Sequence, residues 1–173
     1  MFDMFTSASL INSRLVSDKE HRRFIDLMDA YSKTEPGKFL NYINFRSMDF
    51  YWCDDMTAQR GVMGAWLCWL GSKVYLMPKD HPDLPFMDET MWCAAIAPTL
   101  VHELFHAWQY KRSRLKYVLC CLPVVREFTI EAEADVVWKD AMKYFQNLDN
   151  IKAVIACNER MKKWQDDPAE KST

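Results

Sequence analysis

The stretch Met91-Trp92-Cys93-Ala94-Ala95-Ile96-Ala97-Pro98-Thr99-Leu100-Val101-His102-Glu103-Leu104-Phe105-His106 organises the reading of this chain. Met91, Trp92, Ala95, Ile96, Thr99, Leu100, Leu104 and Ala107 recur at the spacing of an apolar stripe on an α-helix. The pattern predicts a helix from Asp88 to about Arg114, with Pro98 either starting a new helix or kinking this one. Met91–Val101 is uncharged but leads straight into His102 and Glu103, so it reads as a core helix. His102 and His106, four residues apart, differ by about 40° around such a helix and project their imidazoles from one face.

Upstream, Ser17 or Asp18 is placed to cap a helix over Lys19–Tyr31 that buries Phe24, Ile25, Leu27 and Met28. Residues 1–17 have weak periodicity and read as an irregular arm. Phe39–Trp52 alternates and is rich in aromatic and β-branched side chains, which predicts one or two strands. Val62–Leu70 and Lys73–Met77 read as two strands joined around Gly71-Ser72, a tight hairpin. Pro78 to Pro85 is a loop. Downstream, Leu115–Pro123 reads as an apolar connection, Val124–Trp138 as a helix continuing to Phe145, and Ile151–Gln165 as the last helix. Residues 166–173 form a polar, frayed tail. The expected fold class is α+β, a small antiparallel sheet on a helical core, in one domain over residues 1–173.

Composition bounds the function. Half of the 173 residues are apolar, with seven Trp, seven Tyr and ten Phe, which suits a dense core. The 22 basic and 24 acidic residues nearly balance, so no basic excess points to nucleic acid. The six cysteines form no C-x-x-C, and Cys120 and Cys121 are adjacent, so buried reduced thiols are expected. Met1-Phe2-Asp3-Met4 lacks the basic and apolar regions of a secretory signal. The longest apolar runs, Val62–Leu70 and Val118–Val125, fall far short of the roughly 20 residues of a membrane span. These features predict a soluble, cytoplasmic protein with no membrane partner.

His102-Glu103-Leu104-Phe105-His106 reads H-E-x-x-H, a spacing that lets two imidazoles hold one zinc ion while the glutamate beside them takes a proton from a bound water. Zinc in a catalytic site takes three protein ligands and leaves a position open. The third is expected from the acidic helix Arg126-Glu127-Phe128-Thr129-Ile130-Glu131-Ala132-Glu133-Ala134-Asp135. Glu131 is the preferred ligand, and Glu127, four residues before it on the same face, is the rival. Asp135, four residues after Glu131, is placed to accept a hydrogen bond from a ligand histidine, His102. Glu133, about 200° away around the helix, is expected to point away.

The pair His102-Glu103-x-x-His106 and Glu131-x-x-x-Asp135 resembles the gluzincin zinc peptidases, the thermolysin-like clan. The run Glu131-Ala132-Glu133-Ala134-Asp135 is also similar to the second motif of the small ImmA/IrrE-type peptidases, which has Asn in the last place. The resemblance covers about 34 residues, from His102 to Asp135. No Gly follows His106 in a metzincin-type extension, because Ala107-Trp108-Gln109 stands there. The resemblance implies a zincin-like core and a zinc-dependent metallopeptidase. His102, His106 and Glu131 would bind Zn2+, Glu103 would act as general base, and Asp135 would support His102. A peptide or protein would be the substrate. Tyr110, Tyr117, His81 and Arg126 are open as oxyanion donors. Strand Lys73–Met77 is placed to pair with an extended peptide. Two other readings remain: a peptidase-like metal-binding regulatory or interaction module, and a zinc hydrolase of a non-peptide amide.

Overall fold

The computed structural model describes residues 12–56, 64–66, 72–82, 84–120, 129–147, 149–154 and 156. Four short strands are formed: β1 (Ser13–Leu15), β2 (Asp49–Cys53), β3 (Gly64–Trp66) and β4 (Lys73–Leu76). The principal helices are α1 (Asp18–Tyr31), α2 (Glu89–Arg112), α3 (Arg114–Cys120) and α4 (Ile130–Gln146). Residues 149–154 are helical as well. The fold class is α+β, as the alternation of patterns predicted.

α1 starts where the sequence placed it. The Ser17 hydroxyl accepts from the Glu20 backbone N–H, and the Glu20 carboxylate accepts from the Ser17 backbone N–H. This reciprocal box satisfies two N–H groups that a helix start leaves orphaned. Phe24, Leu27 and Met28 are buried, and Phe24 meets Phe50, Trp52 and Trp92 at ring separations of 5.5, 5.5 and 5.8 Å. Aromatic pairs at these separations add to the gain from burial alone.

The predicted strand over Phe39–Trp52 is mostly not a strand. Pro36–Tyr42 and Phe45–Ser47 are 3-10 turns, and only Asp49–Cys53 joins the sheet. Pro36 enters the first turn without an N–H to satisfy. A Cβ on Gly37 would lie 2.1 Å from the Tyr31 carbonyl oxygen, so only glycine lets the chain pass the end of α1 there. Phe39, Leu40 and Phe45 are buried nonetheless, because tight turns bury aromatic residues as readily as strands do.

The sheet is mixed, not antiparallel. Its order is β1-β2-β4-β3, with β1 antiparallel to β2, β3 antiparallel to β4, and β2 parallel to β4. β4 therefore returns inside β3 and lies between two neighbours, while β3 takes the edge. The expected antiparallel pairing of the two segments is present, shortened to Gly64–Trp66 against Val74–Leu76. The turn at Gly71-Ser72 and the rest of Val62–Leu70 fall outside the described residues, apart from Ser72. The arm expected over residues 1–17 contributes strand β1; residues 1–11 lie outside the described set, as do the tail 166–173 and most of the last predicted helix.

α2 is the centre of the molecule. Asp88 caps it by accepting from the Met91 N–H at 2.8 Å, and the helix runs unbroken through Pro98 to Arg112. Pro98 has no N–H to give the Ala94 carbonyl, a loss the surrounding packing must offset. α2 packs on α4 most extensively, and also on β3, β4, α1, α3 and the Pro36–Tyr42 turn. A helix covered on so many sides is apolar nearly all round, and Ile96, Ala97, Leu100, Val101 and Leu104 are fully enclosed. Arg114–Cys120 forms the short helix α3 within what was expected to be an apolar connection. Among the described side chains, Cys53 and Cys93 are buried free thiols whose pKa values burial pushes up.

Candidate metal centre

α2 and α4 meet at the histidine motif. His102 and His106 project from α2 with ring centroids 4.7 Å apart and planes at 85°. Glu131, in the first turn of α4, faces both: its Oε2 lies 3.3 Å from His102 Nε2 and 3.3 Å from His106 Nε2. The two Nε2 atoms are 3.0 Å apart. Three ligand atoms thus form a nearly equilateral triangle. In a tetrahedral zinc site with bonds of about 2.0–2.1 Å, neighbouring ligand atoms sit about 3.3 Å apart. The triangle matches that spacing, and the donor set of two imidazoles and one carboxylate suits zinc.

Proton counting gives a second reason to place a cation there. The Gln109 side-chain nitrogen donates to the Ile130 carbonyl at 3.0 Å and to Glu133 Oε2 at 3.1 Å. Both partners only accept, so the amide orientation is fixed and its Oε1 faces His106 Nδ1 at 2.9 Å. Nδ1 must then carry the proton, and neutral His106 presents a lone pair at Nε2. His106 Nε2 and Glu131 Oε2 are both acceptors. One proton on His102 Nε2 can serve only one of them, whereas a cation at the centre serves all three atoms.

Asp135 stands beside His102, its Oδ1 3.9 Å from Nδ1, which is ion-pair reach and longer than the expected hydrogen bond. Burial alone would lower the pKa of His102. The hydrogen bond to Glu131 and the charges of Glu103, Glu131 and Asp135 outweigh it, and the pKa lies above the ordinary 6.5. The site attracts positive charge at the point where a metal would sit.

Glu103 is buried, on the face of α2 next to the histidines. Strand β3 lies against it: a Cβ on Gly64 would meet Thr99 Cγ2 at 2.7 Å and Glu103 Cγ at 3.1 Å. The missing side chain at Gly64 lets the strand approach the helix at the motif glutamate. Tyr117, buried on α3, packs its ring 6.2 Å from that of His106, with Tyr110 behind it at 5.7 Å.

His102, His106 and Glu131 converge, and Asp135 and Glu103 flank them. The rival ligand Glu127 and the oxyanion candidate Arg126 lie outside the described residues. His81 is turned elsewhere, its Nε2 3.2 Å from the Asp54 carbonyl oxygen in a groove beside Trp52 and Glu20. Strand Lys73–Met77 is not available to a peptide, because β4 is interior to the sheet and the edges are β1 and β3. Glu133 does not point idly away: it accepts from Gln109, one hydrogen bond from His106. Gln109 itself had no assigned role in the sequence, although its position three residues after His106 places it on the same helix face.

No family model matches the chain, and no curated protein or solved structure matches it.

Proposed function

We propose that the protein is a zinc-dependent peptidase of gluzincin type, with His102, His106 and Glu131 as metal ligands and Glu103 as general base. The observation that carries this reading is the triangle of ligand atoms, 3.0 to 3.3 Å on each side, with a buried glutamate adjoining it on the same helix. A bound zinc ion supplies a water of lowered pKa and a positive charge that polarises a substrate carbonyl.

The chain's own residues do the rest. Glu103 is held against Gly64 in a largely dry pocket, where its carboxylate takes the proton of the attacking water and passes it to the leaving amine. Asp135 keeps negative charge behind His102, and Gln109 holds the His106 ring. β3, one of the two sheet edges among the described residues, lies on α2 beside Glu103. An extended peptide pairing with its outer side would run past the metal centre, and this favours a peptide over other amides.

The test is metal content and hydrolysis measured together. Purified protein should hold one zinc per chain, and His106→Ala should lose it. Glu103→Gln should keep the metal and lose hydrolysis of a peptide library by about 10²–10⁴-fold, the range for removing a general base. Hydrolysis that survives Glu103→Gln removes Glu103 from its role. Stoichiometric zinc with no turnover by the unaltered protein replaces the peptidase with a metal-binding regulatory module. Absence of zinc binding overturns both.

A further inference from the structure

We propose that Gln109 is a positioning residue that locks the tautomer of His106 and couples it to the helix bearing Glu131, and so sets the affinity of the site for a divalent cation. The proposal rests on the metal-site reading above and adds to it a residue outside the ligand set.

The geometry leaves the Gln109 amide no freedom. The side chain is buried, and all its polar capacity towards the protein is committed: two donations from Nε2 and one acceptance at Oε1. Rotating the amide by 180° would set its oxygen against the Ile130 carbonyl and the Glu133 carboxylate, two acceptors at hydrogen-bond distance. It would also aim an N–H at His106 Nδ1, which drives the ring proton to Nε2, into the centre of the ligand triangle. The observed orientation therefore keeps the lone pair at Nε2 directed at Glu131 and His102. Metal affinity depends on such outer partners because a ring held in the correct tautomer has nothing left to pay for when the ion arrives.

The same amide spans the two elements that build the site. Ile130 and Glu133 both lie in the first turns of α4, on either side of Glu131. Thr129, at the start of that helix, makes no side-chain cap. The bonds from Gln109 thus hold the beginning of α4 against α2. Glu133 is exposed, yet its charge strengthens the bond that fixes the amide. A neutral oxygen there would do the same more weakly.

The experiment compares the unaltered protein with Gln109→Met and with the double variant Gln109→Glu, Glu133→Gln. Methionine keeps the volume and removes every hydrogen bond. In the double variant a carboxylate still accepts from His106 Nδ1–H, and the new glutamine at 133 can donate to it. Both altered proteins lose the donation to the Ile130 carbonyl, and in the double variant a carboxylate oxygen faces that carbonyl instead, a repulsion that Gln109→Met does not carry. Zinc dissociation constants are read by competition with a chromophoric chelator, and the His106 tautomer of the metal-free protein by the ring nitrogen shifts in NMR. Gln109→Met should weaken zinc by about 10–100-fold, the range for outer partners of a ligand histidine, and move the ring proton from Nδ1 to Nε2. The double variant should bind within a few-fold of the unaltered protein and keep the Nδ1 proton.

A merely structural Gln109 predicts a loss in the double variant at least as large as in Gln109→Met, and that result overturns the proposal. So does unchanged affinity in Gln109→Met while the unaltered protein binds zinc, an outcome that leaves the metal-site reading standing. Failure of the unaltered protein to bind zinc removes both. If Gln109→Met does not fold, the exposed Glu133→Ala replaces it: several-fold weaker zinc supports the lock, and unchanged affinity overturns it.

Discussion

Glu20 and Glu131 occupy matching places, each in the first turn of a helix and each partly buried, yet their surroundings are opposite. Three donors converge on Glu20 Oε2: the Ser17 N–H at 3.0 Å, the Ser17 hydroxyl at 2.7 Å and the Trp52 indole N–H at 3.3 Å. Glu131 Oε2 faces two imidazole nitrogens at 3.3 Å, one of them fixed as a lone pair by Gln109. A carboxylate ringed by donors holds the chain together by itself. A carboxylate facing two imidazole nitrogens, one of them without a proton, is placed where a metal ion could be held. The first arrangement caps a helix and the second could hold a metal ion, and the helices that carry them differ: α1 is boxed by Ser17, while α4 has no side-chain cap.

The largest effect expected from this contrast is on metal-linked stability. At a zinc concentration of 1,000 times Kd, binding to the folded state alone adds about 4 kcal/mol. For a chain of this size that raises Tm by about 8–16 °C, since each kcal/mol shifts it roughly 2–4 °C. Thermal melts with zinc and with a chelator should show the increment in the unaltered protein and lose it in Glu131→Ala. Glu20→Gln should keep the full increment. An increment preserved in Glu131→Ala would place the third ligand elsewhere and dissolve the comparison.

The reverse test acts on Glu20. Replacing it with Gln keeps an oxygen that closes the reciprocal cap but removes its charge, which weakens the bonds from Ser17 and Trp52 at a cost of about 0.5–1.5 kcal/mol. Chelator-treated protein should melt a few degrees lower, with zinc affinity unchanged. A loss of zinc affinity in Glu20→Gln would show that the two regions are coupled through the core.

The difference also explains what could be read from the sequence. Ser17 three residues before Glu20, and His102 four before His106, are local spacings, and helix geometry turns them directly into contacts. Glu131 was expected from an acidic helix elsewhere in the chain, with Glu127 as its rival, and only the step from Glu131 to Asp135 used the same local spacing. The parallel pairing of β2 with β4 was not legible, because no local pattern says that β4 returns inside β3. The aromatic run from Phe39 to Phe45 misled because 3-10 turns and strands can bury the same side chains. Gln109 escaped notice for a further reason: its role depends on the Ile130 carbonyl and Glu133 being brought to it by a separate helix. Polar lock residues are specified by tertiary contact, while ligand pairs on one helix are specified by spacing.

The smallest effect is the most direct comparison, because the two regions should give pH responses of opposite sign. Burial alone would raise the pKa of Glu20, but the hydrogen bonds from Ser17 and Trp52, with the charge of Arg14, bring it below the ordinary 4.5. Its contribution is therefore complete above pH 4.5 and is lost as pH falls through the lower folded value. In the metal-free protein the proton at the histidine cluster behaves in the other sense. Because the folded pKa of His102 lies above 6.5, its contribution is complete below pH 6.5 and is lost as pH rises through the folded value. Chelator-treated protein should thus lose Tm at both ends of the range, the acid limb flattened in Glu20→Gln and the alkaline limb in His102→Gln. Zinc reverses the second slope: its ligands must shed protons to bind, so apparent zinc affinity should rise with pH through the window in which metal-free stability falls. An alkaline limb unchanged by His102→Gln would mean that the protonated imidazole is not what stands in for the metal between Glu131 and His106.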